Sequence, residues 1–190
     1  MIDIGILIES KSFNNKWPRI KIYFNNELID TLVCKSSASL HYQVQTTEHN
    51  ILAVELFDKN FGDDNQWDID SNGQGLEAKI NDIKLNDVSI ENLLSSAKFQ
   101  TNWTPAQLGY LTKDFLDQYS EYFSNGMMSF NGRLTFEFST PVYDFLIEKK
   151  YKVPYDPGIA FYSNKTELFH YESGLATVKE IKKIISKHNA

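Results

Sequence analysis

GRLTFEFSTP, residues 132–141, alternates Leu134, Phe136 and Phe138 with Arg133, Thr135 and Glu137 until Pro141 ends the run. A two-residue period puts successive side chains on opposite faces of a pleated strand. Proline, lacking an N–H to donate, confines such a run to its own length. One face of this strand is therefore apolar and buried, and the other is polar and wet. That division is the signature of an antiparallel sheet packed on one side only.

The same period recurs upstream. Ile2, Ile4, Ile6 and Ile8 alternate with Asp3, Gly5, Leu7 and Glu9. After Pro18, Ile20, Ile22 and Phe24 share a face, Asn25 and Asn26 make a turn, and Leu28 to Val33 return, which predicts a hairpin. Leu40, Tyr42 and Val44 alternate with His41, Gln43 and Gln45, so His41 faces solvent. Residues 51–58, ILAVELFD, and 76–90, LEAKINDIKLNDVSI, continue the pattern. In the second, the apolar phase slips between Ile80 and Ile83, predicting a bulge or short turn near Asn81 and Asp82. Ser89 is placed to cap a helical turn with Leu93 and Leu94 inward. A short helix is expected over Lys113 to Phe123, and a helical turn over VYDFLIEKK, residues 142–150. Short strands joined by polar turns predict a mainly β fold, an antiparallel β-sandwich of jelly-roll type with short helices.

Composition agrees. The 190 residues are 42% hydrophobic and 14% aromatic, with 13 Phe and 10 Tyr against 9 Gly and 5 Pro, enough for one good-sized core. The formal charge of −6 is scattered along the chain, leaving no basic stripe for phosphates, so nucleic acid is not an expected partner. Residues 1–10 have neither a basic n-region nor an apolar run long enough for a signal or a span. The expectation is synthesis in a cytoplasm with no membrane partner. Cys34, the single cysteine, sits in an apolar run and reads as a small buried hydrophobe.

Catalytic patterns are missing: there is no glycine-rich phosphate loop, no G-x-S-x-G, no H-E-x-x-H and no paired-cysteine metal site. His41, His49, His170 and His188 are isolated in sequence, with His49 read as a turn residue. A carboxylate pair for glycoside chemistry cannot be read from spacing, but the expectation is that the protein is not an enzyme.

Residues 67–75, WDIDSNGQG, align Asp68, Asp70, Asn72 and Gly73 with the first half of a calcium-loop template, yet the twelfth position is Lys79 where a bidentate glutamate belongs. The reading is a polar hairpin loop. An irregular calcium site drawn from Asp63, Asp64, Asp68, Asp70, Asn72 or Glu77 is the alternative. Trp67, Trp103 and Tyr110 fall in predicted loops, where planar rings stack on sugars or plug the ends of a core. Past Tyr151, Pro154, Pro157 and Gly158 mark an extended linker. Leu175, Val178, Ile181 and Ile185 then share one face of an amphipathic helix. The boundaries expected are a sandwich over 1–150 and an arm over 151–190. Tyr155, Phe161, Tyr162, Phe169, Tyr171, Val178, Ile181 and Ile185 would dock that arm on a neighbouring subunit.

IKIYFNNELID, EHNILAVELFDKN and LEAKINDIKLNDVSI, within residues 19–94, together with FNGRLTFEFSTPVYDFLIEKK, within 126–150, resemble the calcium-dependent carbohydrate-binding-module-like sandwich of structural proteins in tailed bacteriophages. The resemblance implies a virion subunit, in tail, baseplate or capsid, that joins other virion proteins as a homo-oligomer or as part of a larger assembly. It also implies the alternative of a carbohydrate-binding module for host-surface or polysaccharide glycans. Where sugar-binding relatives place an Asn-Asp pair after the LAVEL-like strand, this chain has Asp58, Lys59 and Asn60.

Overall fold

A computed structural model of the protein describes residues 1–59 and 75–142, with Phe145, Leu146 and Lys149; the side chains of Ala106 and Tyr110 are outside it. The chain divides into two units, Met1–Val142 and Tyr143–Ala190. The first is built from β1 (Ile2–Lys11), β2 (Arg19–Phe24), β3 (Glu27–Val33), β4 (Ser37–Val44), β5 (His49–Phe57), β6 (Glu77–Leu85) and β7 (Val88–Ser89). A 3₁₀ helix (Glu91–Ser96) leads to β8 (Lys98–Thr101), α1 (Pro105–Tyr110), α2 (Lys113–Tyr119), β9 (Glu121–Phe123), β10 (Met127–Met128) and β11 (Gly132–Ser139).

These strands make two antiparallel sheets. One has five strands, in the order β10-β6-β1-β4 with β7 on β6, and the other has six, in the order β3-β2-β5-β11-β8-β9. Strands β1, β2, β5, β6 and β11 bury the face their sequence period marks as apolar, while β3 at the sheet edge leaves Leu28 and Val33 exposed. Ile4, Ile6 and Ile8 from β1 and Ile80, Ile83 and Leu85 from β6 line the first inner face; Ile20, Ile22, Leu52, Val54, Leu56, Phe99, Leu134, Phe136 and Phe138 line the second. Fully burying one such side chain contributes about 1.5–3 kcal/mol, so these two faces carry most of the stability. Tyr42 fastens the sheets together at β3 and β4, its hydroxyl donating to Asp30 Oδ2 at 2.7 Å.

Four turns have both central residues at positive φ: Asn14-Asn15, Asn25-Asn26, Asn86-Asp87 and Asn125-Gly126. Asn and Asp tolerate that region, and the resulting turn matches the right-handed twist of the flanking strands. The slip in apolar phase is a true bulge. Leu7 pairs Asp82 and Ile8 pairs Ile80, leaving Asn81 as the extra residue.

Three sequence expectations change, and a fourth shifts by one residue. The helix expected over 113–123 stops at Tyr119, because residues 121–123 instead pair with β8, opposing Phe123 to Lys98 and Tyr122 to Phe99. Ser89 lies in β7, one residue before the N-cap Ile90; its hydroxyl donates to Asp82 Oδ1 at 2.7 Å and accepts from the Glu91 N–H of the helix at 3.4 Å. His49 is the first residue of β5, not a turn residue, and opposes Ser139. Helix α1 was not anticipated, although Thr104, Pro105 and Gln107 form a capping box with proline in the first turn.

Candidate functional site

The outer face of the six-stranded sheet is where polar side chains converge. Strand register sets one row across it: Lys21 opposes Glu55, Glu55 opposes Arg133, Arg133 opposes Gln100 and Gln100 opposes Glu121. Neighbouring strands lie about 4.8 Å apart, so adjacent members of the row are in reach of one another. Arg133 Nη2 donates to Glu55 Oε2 at 3.3 Å, and the guanidinium lies 4.2 Å from the ring centroid of Tyr23. Arg19 and Lys21 cover the ring of Phe57 in the same way, at 4.9 and 4.3 Å. Burial, followed by hydrogen bonding to and the negative charge of Glu55, raises the Tyr23 hydroxyl above its ordinary pKa, against the pull of Arg133.

Where this row meets the ends of β8 and β11 a cleft of about 320 Å³ opens, lined by Glu55, Gln100, Thr101, Asn102, Gly132 and Arg133. Its base depends on a glycine. A Cβ on Gly132 would stand 2.4 Å from the Gln100 carbonyl oxygen and 2.7 Å from Cζ of Phe99, so only glycine lets that ring tuck beneath the cleft. The rim is pinned by Asn131, which is buried: its Oδ1 accepts from the Lys59 N–H at 2.8 Å and its Nδ2 donates to the Lys59 carbonyl at 2.7 Å. The Asn102 N–H in turn donates to the Asn131 carbonyl at 2.8 Å. The Thr101 hydroxyl donates to the carbonyl of Tyr119 at 2.6 Å, tying the rim to α2. Lys59 is buried here, with Nζ donating to the Ser129 carbonyl at 2.6 Å. Residues 60–74, which follow Lys59 in sequence, lie outside the described residues.

Chemically the cleft offers a carboxylate that accepts, a guanidinium that donates, two side-chain amides that do both, and the Thr101 hydroxyl, which, with its proton on the Tyr119 carbonyl, accepts. Glu55 is the one carboxylate among its lining residues, and it is ion-paired to Arg133. Glycoside hydrolysis needs two carboxyl groups across the bond that breaks.

Of the residues singled out from sequence, Trp103 is half-buried, its ring 5.3 Å from Phe130 and 6.2 Å from Phe115 in an aromatic cluster that continues through Tyr119 and Tyr122 to Phe99. That packing presents it as a plug between α2 and the sheet, beside Asn102 of the cleft. Tyr110 ends α1, with its side chain outside the described residues, where Trp67 also lies. Asp63, Asp64, Asp68, Asp70 and Asn72 are outside them too, while Glu77 opens β6 opposite Lys11. Among the described residues no group of three or more His, Cys, Asp or Glu side chains converges to hold a metal. Tyr155, Phe161, Tyr162, Phe169, Tyr171, Val178, Ile181 and Ile185 likewise lie outside the described residues. Cys34 is fully buried, and burial raises its thiol pKa, leaving it protonated and unreactive. His41 is exposed on β4, as its strand phase predicts.

Glu55, Gln100, Asn102 and Arg133 were not singled out from sequence. Each sits at an outward position of its segment, but strand order is what brings β5, β11 and β8 side by side. Among the described residues no helix is long and apolar enough to cross a membrane.

No protein-family model matches this chain, and neither does any curated protein. Two solved structures are similar to it. The selenomethionine form of vCBM60, titled as linking two families of calcium-dependent carbohydrate-binding modules by circular permutation, is 12% identical with a TM-score of 0.44, covering 72% of this chain and 90% of its own. vCBM60 in complex with galactobiose is 15% identical with a TM-score of 0.39, covering 70% and 96%.

Proposed function

We propose that this protein is a non-catalytic glycan-binding sandwich, whose ligand lies in the cleft on the outer face of the six-stranded sheet. The observation that carries this reading is the convergence of Glu55, Arg133, Gln100, Thr101 and Asn102 on about 320 Å³ of open cleft. Sugars expose alternating donors and acceptors on adjacent carbons. A carboxylate accepting from two hydroxyls, a guanidinium donating to ring and hydroxyl oxygens, and amides serving either sense are the groups that recognise them. Tyr23, stacked under Arg133, holds the guanidinium plane in place before the ligand arrives, which lowers the ordering cost of binding. Among the described residues a single carboxylate lines the cleft, and the groups beside it are ones that recognise hydroxyls. The resemblance stated from the sequence carries glycan binding as its alternative implication, beside that of a virion subunit.

A glycan array probed with and without calcium tests both the function and the acidic loop. Selective binding that Arg133→Ala abolishes, in a variant whose unfolding midpoint matches the parent, is the expected result. Absence of signal on every glycan in both conditions refutes the reading. Dependence on calcium would support the irregular site read from Asp63, Asp64, Asp68, Asp70, Asn72 or Glu77.

Attachment to a larger assembly, the virion included, is a second reading, motivated by the sequence spacing of Leu175, Val178, Ile181 and Ile185, which predicts one apolar helix face. Truncation after Lys150 tests it: loss of self-association or of partner capture supports the docking arm, and unchanged assembly rejects it.

A further inference from the structure

On the outer face of the five-stranded sheet, β1 carries a glycine that neither its backbone nor its packing requires. Gly5 lies mid-strand between two paired neighbours, His41 opposing it from β4 and Lys84 from β6. It is not among the residues at positive φ. A Cβ there would meet Lys84 Cβ at 3.4 Å and His41 Nδ1 and Cε1 at 3.7 Å, ordinary van der Waals distances. Glycine inside a strand costs conformational entropy, and where no local geometry asks for it, it marks a place where another group comes close to the backbone. The missing side chain opens a notch of about 140 Å³ bounded by Gly5, Ile6, Leu7, Ser39, His41, Asp82 and Lys84.

The walls of the notch are arranged in two rows. His41 and Lys84 flank Gly5, and one register step along, Ser39 and Asp82 flank Leu7, which is 41% exposed. Asp82 shares this row with Lys84 by the regular two-residue period of β6, which continues unbroken as far as the bulge at Asn81. The Ser89 hydroxyl holds one Asp82 oxygen at 2.7 Å, leaving the second for a ligand. Ser39 Oγ lies 3.3 Å from His41 Nε2 and steadies the ring, while the Nδ1 edge borders the notch.

We infer that this notch is a second binding site, for a hydroxylated carboxylate of the size of one hexuronic acid unit. The carboxylate lies over Gly5 between the Lys84 ammonium and the His41 ring. An apolar ring face rests on Leu7, and hydroxyls donate to Asp82 and exchange hydrogen bonds with Ser39. The site is independent of the cleft on the other sheet and does not rest on its function.

Titration of the ¹⁵N-labelled full chain with glucuronate, glucose and acetate, followed at the Gly5 amide and the His41 ring protons, tests it. Saturable shifts with glucuronate are expected, with glucose and acetate at least tenfold weaker. Lys84→Ala and Gly5→Val should each weaken glucuronate at least fivefold, while Arg133→Ala leaves it unchanged. No saturable shift, or acetate or glucose binding as tightly as glucuronate, overturns the site. So does binding that survives Lys84→Ala but is lost in Arg133→Ala, which would move the ligand to the cleft.

Discussion

Two glycines in this molecule answer opposite demands, and substituting them separates packing from function. At Gly132 a methyl group has no room, since it would stand 2.4 Å from a backbone carbonyl and 2.7 Å from the Phe99 ring. Gly132→Ala is expected to lower stability by about 1–3 kcal/mol, the usual cost of forcing volume into a packed place, measured by urea unfolding. At Gly5 a methyl has ordinary contacts, so Gly5→Ala should raise stability by about 0.5–1 kcal/mol in the same assay while narrowing the notch. A destabilised Gly5→Ala protein would mean that packing, not a ligand, keeps the glycine. Asn131 makes the same kind of statement for hydrogen bonds. It satisfies both the N–H and the carbonyl of Lys59, and Asn131→Ala should cost about 1–3 kcal/mol through groups left buried without those bonds.

At the scale of elements, the strands were legible because each keeps a strict two-residue period against a single buried face. Even the slip at Asn81 announced its bulge, since an extra residue must shift the apolar phase. Helical boundaries were less legible. Residues 121–123 carry aromatic residues at spacings that fit a helix, yet their partner is β8, about 20 residues upstream, a contact no local pattern contains. Cross-sheet fastening has a measurable signature. Tyr42 is held by Asp30, and burial, followed by hydrogen bonding to and the charge of Asp30, pushes its phenol well above the ordinary 10.0. A phenol whose folded-state pKa is raised keeps its proton after the unfolded chain has lost its own. The stability it contributes is therefore full below about pH 10 and is lost as pH climbs toward the folded value. The denaturant midpoint should fall above pH 10, and Tyr42→Phe should make that fall shallower. An identical alkaline slope in the two proteins would remove Tyr42 from the account.

For the whole molecule, the sandwich separates two outer faces, and the chemistry differs between them. The six-stranded face collects Arg19, Lys21 and Arg133 over Phe57 and Tyr23, with Glu55 and the amides beside them. Its cleft was invisible in the sequence because Glu55, Gln100 and Arg133 are up to 78 residues apart and meet through the strand order β5-β11-β8. Of the aromatic residues that did stand out, Trp103 packs on Phe115 and Phe130, the core-plugging reading of its loop position. Composition told apart a folded module from a disordered chain, but it carries no register, and register is what builds this site. The central claim is that the cleft holds a saccharide, and the most direct measurement is a ¹⁵N chemical-shift titration with the tightest glycan found on the array. The account predicts saturable shifts concentrated at Gln100, Thr101, Asn102 and Arg133, absent in Arg133→Ala. Shifts that saturate elsewhere and leave those four amides unmoved would contradict it.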